Sequence, residues 1–171
     1  MLQIVNFFWQ ICLLRKSPEE LPSSLFSTGS IFFVYFFIAL FSVAFTRPEN
    51  SITTVTGTII IGVAFQAAVT FLLLVFKGYR NRFYATWSAL LGTNALMLVI
   101  LLPFNLIILN SENNSILMFA DSATWVCLGW WLAIAGTIYH KSIEVSVFQG
   151  AAIAFLIEII SVILVFNFFP R

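Results

Sequence analysis

Charged residues are spaced along the chain so that long apolar windows lie between them. Glu20 to Arg47 encloses 26 uncharged residues, Glu49 to Lys77 encloses 27 and Arg82 to Glu112 encloses 29. Asp121 to His140 encloses 18, and Glu144 to Arg171 encloses 26 with Glu158 as the one interruption. A spanning helix needs ~20 mostly apolar residues, because the hydrocarbon core is ~30 Å thick and a helix rises ~1.5 Å per residue. The windows predict five spans, near 28–46, 53–76, 85–109, 118–139 and 146–168. The fourth is the tightest and borrows apolar residues from Ile116 to Ala120 if Asp121 sits at the interface.

Helices fit the pattern and strands do not. Lipid offers backbone N–H and C=O groups no partners, so a span must satisfy them within itself. A barrel strand would alternate apolar and polar residues, whereas Ile31 to Phe41 and Ile100 to Ile108 are apolar without alternation. The predicted fold is all-α: a polytopic transmembrane bundle over 23–171, preceded by a separate element over 1–22.

That first element, Met1 to Leu14, is apolar but too short to cross. Gln3, Asn6 and Gln10 recur at spacings of three and four, which stacks them on one helical face. Leu2, Ile4, Phe7, Phe8, Trp9 and Ile11 fill the rest, the pattern of a helix lying in the membrane interface. A signal peptide is the rival reading, opposed by the absence of a leading basic region and of a small-residue cleavage site. Ser17-Pro18-Glu19-Glu20 predicts a second short helix start, with Ser as cap and Glu reaching back, and Pro22 redirects the chain.

Composition removes whole classes of function. The chain has 171 residues, 61% hydrophobic and 9% charged, where a soluble domain is typically ~25% charged. That excludes a soluble enzyme domain, a disordered chain and a disulfide scaffold. A formal net charge of +1 gives no footprint for nucleic acid. Lys and Arg are asymmetric across the predicted spans. Arg15, Lys16, Lys77, Arg80, Arg82 and Lys141 fall on one side, Arg47 and Arg171 on the other. Six against two predicts a cytoplasmic N-terminus and a C-terminus outside. Trp9, Arg15, Lys16, Arg80 and Arg82 are the expected lipid-interface residues, the cations meeting anionic headgroups.

Chemistry is sparse. Cys12 and Cys127 are far apart and form no C-x-x-C pair. His140 is the lone histidine, placed at the end of the fourth span, with no partner set for a metal and no H-E-x-x-H. No catalytic residue, metal or cofactor is expected. Glu158 stands out, about halfway along the fifth span. A charge at that depth costs at least ~2.5–3.5 kcal/mol by insertion scales. Gly150, Ala151, Ala154, Glu158 and Ser161 share one helical face, which predicts a close helix–helix seam with Glu158 turned into it. Gln66, Thr70, Asn94 and Asn105 are its expected partners on other spans. Glu158 reads either as a protonated group gluing helices or as a proton-linked or substrate-binding carboxyl.

Other small-residue strips predict packing. They are Gly62, Gln66 and Thr70 in the second span; Ser88, Gly92 and Ala95 in the third; and Gly129, Ala133 and Gly136 in the fourth. Pro103 should kink the third span, with Asn105 close enough to help satisfy the freed groups. Trp125 suits an interfacial belt, and Trp130 and Trp131 lie deeper.

Leu13-Leu14-Arg15 to Pro18, the third span ending in Leu102-Pro103, Trp125 at the start of the fourth, and Gly136-Thr137-Ile138-Tyr139-His140-Lys141-Ser142 leading into the fifth together carry a resemblance. Over residues 10–168 the chain resembles the bacterial branch of the YIP (Ypt-interacting protein) membrane family. The resemblance implies a five-span fold and a non-enzymatic character. Two functions remain open: a membrane-organising or partner-binding protein, whose partners would be the bilayer and another membrane protein or a second copy; or a transporter or channel subunit using Glu158.

Overall fold

In the computed structural model the described residues are 2–21, 24–46, 49 and 51–168. They form six α-helices: α1 (Leu2–Cys12), α2 (Leu25–Thr46), α3 (Ile52–Phe76), α4 (Phe83–Asn110), α5 (Asn114–Ile143) and α6 (Val147–Phe168). Short 3-10 turns at Pro18–Glu20 and Arg80–Arg82 join them, and no strand occurs among the described residues. The last five helices are each long and apolar enough to cross a membrane. The chain is an all-α helical bundle and an integral membrane protein. Arg47, Arg171, Pro22 and the Gln3 side chain lie outside the described residues, so the charge count, the chain redirection and the polar edge drawn from them are tested only in part.

Local chemistry sets the helix ends. Ser51 accepts the Thr54 N–H at 3.2 Å and opens α3, and Asn113 accepts the Ser115 N–H at 2.9 Å and opens α5. Ser17 N–H donates to Glu20 Oε1 at 3.1 Å, the reach-back its sequence predicts. Leu14 (φ 59°) and Glu144 (φ 56°) take the left-handed conformation just past α1 and α5, and Gly78 (φ 80°) takes it just past α3. The observed helices exceed the predicted spans most in α5, which starts at Asn114 and runs on to Ile143. The Asn113 cap and the end at Glu144 explain the extra turns. Helix α4 passes through Pro103 without ending, and the Asn105 side chain forms no hydrogen bond with a described residue that would repair the ladder.

The five long helices close into a ring in which α4 packs along α2 and α5, α6 packs along α5 and α3, and α3 meets α2. Consecutive spans run antiparallel, so α2 and α4 are parallel. Thr28 on α2 meets Ser88 on α4 at 2.9 Å. The end of the ring carrying Lys77, Arg80, Arg82 and Lys141 is called the basic end below, and the end carrying Glu49 and Glu112 the acidic end.

Packing differs sharply between these ends. All ten buried residues of α4 lie between Ala85 and Met97, in its basic half. Helix α5 is buried mainly from Cys127 to Ile143, with Ala120 the exception. Helix α6 is buried at Gly150, Ala154 and Ile157 and nowhere beyond. Helices α2 and α3 keep contacts further out, through Ala39, Val55 and Ile59. Packing in the acidic half is therefore looser in the outer stretches of α4, α5 and α6, although α3 and α6 still meet at Gly62 and Ser161.

Helix α1 is more than an interfacial helix. Phe8, Ile11 and Cys12 are buried in the main core, while Val5, Asn6 and Trp9 stay exposed. The Phe8 ring fills the space a Cβ at Gly92 would occupy. Trp130 Nε1–H donates to the Cys12 carbonyl at 2.8 Å, satisfying one free acceptor at the α1 C-terminus. The sequence pattern shows an apolar circumference but not that part of it meets protein rather than lipid.

Candidate functional site

Most buried polar side chains join helices in pairs. Thr28 bonds Ser88 across α2 and α4, and Thr86 Oγ1 donates to Ser142 Oγ across α4 and α5 at 2.8 Å. Thr70 and the Tyr139 hydroxyl meet at 2.9 Å across α3 and α5. Trp131 Nε1–H donates to Asn94 Oδ1 at 2.7 Å. Each pair removes two groups from lipid, at a typical value of ~0.6 kcal/mol and at most ~1.7 kcal/mol in membrane helices. Thr70 and Asn94, expected as partners of Glu158, are thus engaged elsewhere.

The predicted small-residue seams divide. Helices α5 and α6 approach backbone to backbone at Gly136 and Gly150. A Cβ on Gly136 would stand 2.7 Å from the Val147 carbonyl oxygen, and one on Gly150 would run into the Gly136 carbonyl. Ala151 borders this contact and Ala154 continues it. Gly62 faces Ser161 on α6, at 3.3 Å from where its Cβ would be. Gly92 receives Phe8. Gly129, by contrast, has nothing within 4 Å and is exposed, so it belongs to no seam. Helical spacing of four and then three placed it in a strip with Ala133 and Gly136, but the α6 contact begins only at Gly136.

Glu158 departs most from expectation. It lies on the inner arc of α6, one turn past buried Ala154 and three residues before Ser161, yet it is exposed. It forms no hydrogen bond or ion pair with any described residue. The reason is its depth: it stands one residue past Ile157, the last buried residue of α6. Two polar groups from other helices share that level. The antiparallel register set by Gly62 and Ser161 puts Gln66 opposite Glu158, and Tyr35 of α2 is within electrostatic reach of the carboxyl. Tyr35 has no sequence signal beyond being a lone polar ring in an apolar run. Asn105 sits nearer the acidic end, half-buried and without a hydrogen bond.

A second polar assembly occupies the basic end. Arg82 Nη1 donates to the Lys141 carbonyl at 3.1 Å. It also lies 3.5 Å from both Glu19 and Glu144, and its guanidinium covers the Tyr79 ring at 4.5 Å. Arg82 therefore ties the Pro18–Glu20 turn to α4 and to the end of α5. Beneath it, Glu19, Asn81, Thr86 and Ser142 line a cavity of about 260 Å³. Glu20 accepts the Ser17 N–H and pairs with Lys16 at 3.5 Å, and these hold its carboxyl below the usual carboxylate range. Glu144, acting on Tyr79, raises that phenol above its ordinary value. Lys16 also stands over the Phe7 ring at 4.6 Å. Arg15 and Trp9 are exposed beside this assembly.

Reactive groups are muted. Burial pushes the Cys12 thiol up to about 11, away from the thiolate form that a nucleophile needs. Cys12 and Cys127 are both free and buried. His140 Nδ1 contacts the Val145 carbonyl. The described residues contain no group of His, Cys, Asp and Glu arranged to hold a metal. Trp87 Nε1 is the one enclosed side-chain donor among the described residues that has no acceptor. Comparison with family models, with curated proteins and with solved structures returns no match.

Proposed function

We propose that this chain is a non-enzymatic, partner-binding protein of a bacterial cytoplasmic membrane. The basic end faces the cytoplasm, as the bias of Lys and Arg supports. The observation that carries the reading is Glu158: a carboxyl at mid-span, accessible and without a hydrogen bond or ion pair to any described residue. A group so placed is costly until a polar atom from outside reaches it. The occupant is a second copy of the chain. A protonated carboxyl both donates and accepts, so two copies related by a two-fold axis satisfy each other. The resemblance to the YIP family supports the non-enzymatic character.

Self-association in vesicles, followed by energy transfer between labelled copies, tests this. Glu158→Gln keeps a donor and an acceptor and retains association, while Glu158→Leu abolishes it. Equal association of all three forms, or of none, contradicts the proposal. Transport is the second reading, favoured by one observation: Tyr35, Gln66 and Glu158 come from three helices to one level of the bundle. A pH-dependent solute flux in proteoliposomes, lost in Glu158→Gln with stability unchanged, would establish it instead.

A further inference from the structure

The two arginines of the α3–α4 connection have opposite fates. Arg82 is held by Glu19, Glu144 and the Lys141 carbonyl. Arg80 is exposed and has neither an ion pair nor a hydrogen bond to any described residue. Its guanidinium lies 5.8 Å from the centroid of the Phe71 ring. Lys77, three residues earlier, is also exposed and without an ion pair among the described residues. Beside Arg80 a cavity of about 630 Å³ opens, lined by Phe71, Gly78, Arg80, Asn81, Phe83 and Tyr84.

The walls of this cavity differ in chemistry. One supplies cationic and amide donors from Arg80 and Asn81. The other is an aromatic shelf, on which Phe71 meets Phe83 edge-on at 5.3 Å and Phe83 stacks on Trp87 at 5.8 Å. The shelf descends along α4 into the span, while the donors stay at its end. Beyond it, Leu72 and Phe76 of α3 stand exposed to lipid. A ligand that fits carries an anion at one end and an apolar body at the other, and sits at the bilayer boundary. We propose that this cavity is a binding site for the headgroup of an anionic phospholipid, whose phosphate meets Arg80 and Asn81 and whose glycerol and acyl base lie against Phe71 and Phe83. Arg82 takes no part, because its charge is already met from within the chain.

The site rests on the membrane-embedded reading and not on self-association. Each exposed cation near an anionic bilayer contributes roughly 1 kcal/mol, which corresponds to about a fivefold change in affinity. The test uses the full chain purified in detergent. Lipid retention is read by native mass spectrometry and thermal stabilisation, after exposure to phosphatidylcholine alone or with added phosphatidylglycerol. The wild type retains phosphatidylglycerol and is stabilised by it. Arg80→Gln weakens the effect about fivefold and Arg80→Gln/Asn81→Ala weakens it further, while Lys141→Gln, a cation that does not line the cavity, behaves as wild type. Inorganic phosphate gives no stabilisation.

Retention undiminished in the double variant overturns the site, as does stabilisation by phosphate equal to that by lipid. An equal loss in Lys141→Gln would mean a diffuse charge effect and also overturns it. Should the protein dissolve without detergent, the membrane reading itself fails, an outcome distinct from all of these.

Discussion

The two halves of the helix ring are both largely apolar and pack differently. In the basic half, Gly136 and Gly150 bring α5 and α6 into backbone contact, Phe8 plugs the notch at Gly92, and Thr86, Ser142, Thr70 and Tyr139 pair across helices. In the acidic half, α4 has no buried residue after Met97 and α6 none after Ile157. Apolar character alone therefore does not pack membrane helices, since lipid tails are as apolar as leucine. Small residues that admit a neighbouring backbone, and polar pairs that need one another, decide where the bundle closes. Helix α1 adds a further wedge to the closed half only.

Substitutions test this contrast, from the largest expected effect to the smallest. Gly150→Leu forces a side chain into the Gly136 carbonyl and should cost 3 kcal/mol or more, beyond the ~1–3 kcal/mol typical of overpacking, because backbone cannot yield as a side chain does. Thermal unfolding in detergent measures it. Gly129→Leu, on an exposed position of α5, should shift the same midpoint by no more than the error. A comparable loss at both glycines would erase the distinction between seam and surface.

Phe8→Ala removes the wedge at Gly92. Large-to-small changes at a buried phenylalanine cost ~3–5 kcal/mol, but α1 can detach without unfolding the ring. The expected result is faster proteolysis and amide exchange confined to α1 and the Pro18–Glu20 turn, with the main transition nearly unchanged. Global unfolding instead would show that α1 is integral to the ring. Tyr139→Phe deletes the hydroxyl that meets Thr70 and should cost about 1 kcal/mol. A double cycle with Thr70→Val would assign that loss to the pair.

The smallest effect is electrostatic. The Glu20 carboxyl is held below its usual range by the Ser17 N–H and by Lys16. Its ionised form therefore favours the docked turn. That contribution is complete above the unfolded carboxylate pKa and is lost as pH falls through the lower folded value. Amide exchange of residues 17–20 should rise at acid pH in the wild type, and Glu20→Gln should remove that dependence. An identical acid profile in the variant would assign the effect to another group.

The sequence was informative about length and less so about facing. Charge spacing located all five spans, because the cost of a buried charge is local and applies whatever the fold. It also singled out Glu158, Gly62, Gly136 and Gly150, since small residues at helical spacing mark close approach. It did not reveal that Gly92 would hold Phe8 or that Gly129 would stand free, because a notch is defined by what enters it. The placing of Glu158 on the inner arc of α6 was legible from periodicity. Its exposure was not, since that depends on where α4 and α5 diverge. Tyr35 carried no signal until the fold brought α2 near α6. The capped turn at Ser17 to Glu20 was readable because its hydrogen bond spans only three residues.

The central claim is that dense packing gives way to looser packing at the depth of Glu158. Ile157 and Glu158 are adjacent, so the bilayer depth of nitroxide labels at the two positions is nearly equal and only their surroundings differ. Oxygen collision rates, measured by spin-label power saturation in vesicles, should be high for the label at 158 and several-fold lower at 157. Equal and low rates at both positions would contradict the account, because they would place Glu158 inside a closed bundle.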